Sequence, residues 1–95
     1  MSDGNKNMDG TVGTLSGSPV TWSPHFGKAQ EWVVQNMDSA NSIDVSFAAS
    51  TAQDRVAPRQ IKRINIYTTA ITVDSSSADY QIVATETPGA CDLNW

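Results

Sequence analysis

Between Glu31 and Glu86, apolar and polar residues alternate in five short runs, EWVVQN, SIDVSFA, RQIKRINIY, TAITVD and DYQIVATE, separated by stretches rich in Ser, Asp, Asn, Ala and Pro. Alternation with period two in runs of this length predicts strands with one buried face, and the turn-forming residues between them predict hairpins. In the second run Ile43, Val45 and Phe47 share the inward face, with Asp44, Ser46 and Ala48 on the other. In the third, Ile64 and Ile66 point inward while Arg63, Asn65 and Tyr67 point outward. Ile71 and Val73 continue the apolar series with the opposite parity. One unbroken strand cannot bury both pairs, so a bulge or turn is required between Tyr67 and Ala70. Tyr80, Ile82 and Ala84 define the inward face of the last run, with Val83 on the other. The runs 31–36 and 42–48, joined by MDSAN, read as the clearest hairpin, because Asp, Ser and Asn bond their own backbone in such loops.

Outside these runs the pattern thins. VTW at 20–22, between Pro19 and Pro24, reads as a short edge strand, where proline is tolerated. His25–Gln30 reads as a turn or a single helical turn, and residues 49–58 as a polar loop. Residues 1–19 hold four of the six glycines, with Val12 and Leu15 as their apolar anchors. A segment of that kind buries too little surface to offset its ordering entropy, so it is expected to be a polar arm, flexible or partner-bound. The tail TPGACDLNW opens on a Pro-Gly turn and ends on Trp95, which is expected to pack on its own domain or a neighbour. The expected architecture is all-β: a small antiparallel β-sandwich of six or seven strands, Ig-like or jelly-roll-like, over residues 20–95, with an extended N-terminal arm at 1–19.

Composition supports strands and narrows function. Ninety-five residues make one domain, and Val plus Ile number 14 against two Leu; β-branched side chains suit a pleated surface better than a helix. A single cysteine, Cys91, excludes an intrachain disulfide. No stretch is apolar for the length of a membrane span, and MSDGNKNMDG lacks a secretory signal, so synthesis in the cytosol and no membrane partner are expected. A net charge of -4 argues against nucleic acid as a partner.

The candidate chemistry is sparse. His25 is the one histidine, and its pairing with Cys91 as a nucleophilic dyad has no motif behind it. Asp3, Asn5, Asn7 and Asp9 space four oxygen ligands like the start of a calcium loop, but Met8 stands where the loop needs glycine and Thr14 where it needs Glu. No catalytic residue, metal site, cofactor or small-molecule substrate is therefore expected. Arg55, Arg59, Lys62 and Arg63 are four of six basic residues within nine positions, and Asp74, Asp79, Glu86 and Asp92 follow without a base. Such blocks either pair across neighbouring strands or dock a basic face on an acidic neighbour. Trp22, Trp32, Tyr67 and Tyr80 could line a sugar-binding groove, with Trp32 assigned to the core and Tyr67 to the surface.

The order AQEWVVQNMDSANSIDVSFAAST, RVAPRQIKRINIY, ADYQIVATE resembles a pattern in small structural proteins of tailed bacteriophages. There, a "V-x-N" strand end leads through a Ser/Asn turn to an "I-x-V-S-F" strand, an "A-P-G" turn and a "Y-x-I-x-A-T" strand. The matching pieces are Val34–Asn36, Ile43–Phe47, Ala57-Pro58 and Tyr80–Thr85, with Arg59 in place of the turn glycine. The resemblance implies a non-enzymatic virion protein, such as a capsid decoration or head-tail accessory protein. It would be made in the host cytoplasm, form a homo-oligomer, and bind the major capsid protein or another virion structural protein. Val12, Leu15, Arg55, Arg59, Lys62, Arg63 and Trp95 are the expected partner contacts. The alternative class is a small β-sandwich carbohydrate-binding module.

Overall fold

The computed structural model describes residues 8–48 and 50–86. Eight strands form: β1 (Met8–Leu15), β2 (Val20–Trp22), β3 (Ala29–Asn36), β4 (Ile43–Phe47), β5 (Ser50–Val56), β6 (Ile61–Thr68), β7 (Ile71–Asp74) and β8 (Ala78–Thr85). They build two four-stranded sheets, sheet A in the order β1-β8-β3-β6 and sheet B in the order β2-β7-β4-β5, with every pairing antiparallel. The pairs β1/β8, β2/β7, β3/β6 and β4/β5 are nested like one long hairpin rolled on itself. That is jelly-roll connectivity, and it excludes the Ig-like alternative.

Eight strands rather than six or seven arise because two polar segments are strands. Residues 8–15 of the expected arm are β1, paired with β8 over all eight positions without a register break. Residues 50–56 of the expected polar loop are β5. Both are edge strands, where one ladder suffices and few apolar side chains are needed, so their periodicity is faint. Residues 1–7 of the arm and 87–95 of the tail, with Cys91 and Trp95, lie outside the described residues.

The runs 31–36 and 42–48 do not form a hairpin. β3 belongs to sheet A and β4 to sheet B, so MDSAN is a crossover between layers. Only β4 and β5 are chain neighbours that also pair. The expected parity break between Tyr67 and Ala70 has the same origin: β6 ends at Thr68 in sheet A and β7 begins at Ile71 in sheet B. The chain changes layer there, and the opposite face becomes the inner one.

The core lies between the sheets. Trp32, Val34, Tyr80, Ile82 and Ala84 face it from sheet A, and Ile43, Val45, Phe47, Val56, Ile71 and Val73 from sheet B, all buried. Trp32 stands edge-on to Trp22 at 6.2 Å and to Phe47 at 5.7 Å, tying the layers together, and its indole N–H donates to the Ile66 carbonyl at 2.9 Å. Tyr80 lies over Gly13, where a Cβ would come within 2.8 Å of the Tyr80 Oη; that close approach explains a glycine in mid-strand.

Candidate interaction surfaces

Strand register decides which outward side chains meet. On the outer face of sheet A one row runs Gly10, Val83, Val33, Arg63 and the next Val12, Gln81, Gln35, Ile61. The middle of this face carries two valines and two glutamines. Val12 and Ile61 are 66% and 63% exposed at its two edges. Charge is confined to the margins: Arg63 Nη1 sits 3.3 Å from Glu31 Oε2, and Asp79 accepts a 2.6 Å bond from the Thr14 hydroxyl.

The outer face of sheet B is polar throughout. Thr21, Thr72, Ser46 and Gln53 lie in one row, with the two threonine hydroxyls 2.8 Å apart. Asp74, Asp44 and Arg55 form the next, and Arg55 Nε donates to Asp44 Oδ1 at 2.9 Å. Pro19, Asp44, Ser46, Gln53, Thr72 and Asp74 line a shallow groove of about 280 Å³.

The basic residues that cluster in sequence separate in space. Arg55 lies on the outer face of sheet B and Arg63 on that of sheet A. Lys62 shares the inward parity of Ile64 and reaches across the open side of the sandwich to Asp54 Oδ1 at 2.6 Å. That bond, with the Arg55 backbone N–H as second donor, holds the Asp54 carboxyl below the usual carboxylate range. Three of the four expected basic contacts are thus paired within the domain. Opposite charges meet across paired strands at Arg55–Asp44 and Arg63–Glu31 and between the sheets at Lys62–Asp54, so the partners are not the acids from Asp74 onward. A single basic docking face does not form.

Arg59 sits in the β5–β6 turn with φ of 62°, and Gln60 N–H closes the turn on the Ala57 carbonyl at 3.1 Å. Proline at the second position and positive φ at the third are the pattern of a type II turn. Position 59 is therefore where glycine is geometrically favoured. Leu15, expected to face a partner, is fully buried and part of the domain's core. Val12 is exposed. Tyr67 is 57% exposed with the Lys28 ammonium 5.1 Å from its ring centroid, while Trp22 is turned inward against Trp32, so neither supplies an aromatic platform to the sheet B groove.

Asp9 serves as a clasp, and Asp3, Asn5 and Asn7, the other members of the calcium-like spacing, lie outside the described residues. Its carboxylate accepts the His25 backbone N–H at 2.8 Å, lies 3.0 Å from His25 Nδ1, and takes the Gly10 N–H at 2.8 Å. The His25 backbone bond leads in holding the Asp9 carboxyl below its usual range. Among the described residues no group of three or more His, Cys, Asp or Glu could hold a metal.

Asn36 is a structural centre that no periodicity in the chain marks. This fully buried amide donates to the Asn41 and Val56 carbonyls at 2.8 and 3.0 Å and accepts the Asp38 N–H at 2.9 Å. It fastens the β3 end to the crossover loop and to β5. Removing it would leave several backbone groups unpaired, at roughly 1–3 kcal/mol for each that stays buried. The "V-x-N" element was the signal available for it.

The class of domain is thus an eight-stranded antiparallel jelly roll. No protein-family model matches the chain, and no curated protein matches it. Among solved structures, a conserved protein of unknown function, SPY1581, from Streptococcus pyogenes is similar over 86% of this chain and 67% of its own, with a TM-score of 0.60 and 12% identity. The protein NMB1881 from Neisseria meningitidis is similar over 84% and 75%, with a TM-score of 0.55 and 10% identity. At that identity the likeness concerns the fold.

Proposed function

We propose that this chain is a non-enzymatic structural protein of a virion, a capsid decoration or stabilising protein that seats the outer face of sheet A on the major capsid protein or another structural subunit. The observation that supports the reading is the uncharged centre of that face, Val33, Val83, Gln35 and Gln81, flanked by exposed Val12 and Ile61. Depletion of charge at the centre with charge at the rim is the arrangement of a protein-binding patch. Jelly rolls serve as capsid and as lectin domains, so the fold accommodates the reading without selecting it. Purified chain sedimented with particles from the source that encodes it should attach stoichiometrically. Gln81→Lys should abolish attachment and leave thermal stability unchanged; undiminished attachment of that variant would sink the proposal.

The second reading, a carbohydrate-binding module, draws on the sheet B groove, whose hydroxyl, amide and carboxylate groups could hydrogen-bond a sugar. A glycan array with wild type and Thr72→Ala distinguishes it: saccharide binding lost in the variant would favour it over the virion role.

A further inference from the structure

Each sheet has two edges, and an uncovered edge strand presents alternate N–H and C=O groups to any chain that can pair with them. Among the described residues, three of the four edges are defended. β2 is three residues long between Pro19 and Pro24. β5 carries Asp54 and Arg55, and β6 carries Lys62 and Arg63. The fourth, β1, is eight residues long, free of register breaks and free of proline. Its one charge, Asp9, faces inward and is spent on His25 and the Gly10 N–H. The outward residues are Met8, Gly10, Val12 and Thr14, all exposed and all uncharged.

We propose that β1 pairs antiparallel with β1 of a second copy of this chain about a two-fold axis at Thr11, joining two four-stranded A sheets into one of eight. The outward series alternates large and small, and it is its own complement in that register. Antiparallel pairing keeps outward residues with outward residues, so Met8 stands opposite Thr14 of the other copy and Val12 opposite its Gly10. On the inner side Thr11 meets Thr11, and Asp9 meets Gly13, which leaves room for the carboxylate and its clasp. Moving the axis to Val12 would set valine against valine and push Met8 past the end of the strand.

The self-complementary outward series selects the occupant, and charge permits it. Two chains of net charge -4 repel in general, and β1 is the long edge at which they meet without like charges opposed. Pairing also doubles the uncharged outer face, with Val12 of each copy at the seam. The inference rests on the assembly role proposed above and names one partner in it.

The test is sedimentation velocity on the full chain over a concentration series, with particle attachment assayed in parallel. Wild type should dimerise. Val12→Lys, which places two like charges on diagonal neighbours across the seam, should raise the dimer dissociation constant about tenfold or more, with a thermal midpoint equal to wild type when both are monomeric at low concentration. Ile61→Lys, equally exposed on the opposite edge, should leave the dimer intact. A wild type monomeric at every concentration overturns the inference, as does a dimer that survives Val12→Lys. In either case continued attachment to particles preserves the virion role, whereas a Val12-dependent dimer without attachment preserves the pairing and removes the role.

Discussion

At the scale of single residues, the positions that matter most are polar ones whose backbone surroundings could not be seen along the chain. Arg59 is the clearest. Its left-handed backbone costs a side-chain-bearing residue free energy that glycine avoids, partly offset by the greater freedom glycine has when unfolded. Arg59→Gly should therefore stabilise the fold by about 0.5–1 kcal/mol, seen as a higher urea midpoint with an unchanged slope. The "A-P-G" comparison already marked this site, because it showed arginine where the turn favours glycine. Asn36 was visible only as the end of a strand. Its worth comes from the Val56 and Asn41 carbonyls, which lie 20 and 5 positions away and converge on it in three dimensions.

At the scale of elements, inner-face parity was legible wherever apolar residues alternate. Ile43, Val45 and Phe47, then Ile64 and Ile66, then Tyr80, Ile82 and Ala84 all face the core as the alternation required. Pairing partners were not legible. MDSAN has good turn chemistry, and a turn between strands serves a hairpin and a layer crossover equally well. β1 and β5 escaped because an edge strand of polar residues owes its existence to the neighbour it pairs with. Deletion experiments separate β1 from what precedes it. Removing residues 2–7 should leave a cooperative thermal transition, since the eight pairs from Met8 to Leu15 are retained. Removing residues 2–18 should abolish it, because Leu15 leaves the core and β8 loses its β1 ladder. Far-UV circular dichroism melts would show both outcomes.

At the scale of the whole molecule, three carboxylates clasp separate parts of the fold. Asp9 joins β1 to the β2–β3 turn, Asp54 joins the sheets through Lys62, and Asp38 accepts the Asn41 and Ala40 backbone N–H groups within the crossover loop. These hydrogen bonds hold all three carboxyls below their ordinary value. A carboxyl with a folded-state pKa below its unfolded one stabilises above the unfolded value, about pH 4, and loses that contribution as pH falls through the depressed folded values. Thermal midpoints should therefore decline as pH falls below about 4. Asp9→Asn, Asp38→Asn and Asp54→Asn combined should flatten the decline, and an unaltered acid limb in that triple variant would remove the clasps as its cause.

By itself the sequence determined that this is an all-β domain, which side of most central strands is inward, and where the chain must reverse its buried face. Those properties follow from side-chain alternation and turn chemistry, which act over a few residues. Only the tertiary structure decided the jelly-roll order, the strand character of β1 and β5, and the dispersal of the basic cluster over two faces and an open side. Each of these depends on which distant segment supplies the next ladder, and hydrogen bonds between backbones carry no residue-specific mark in either partner.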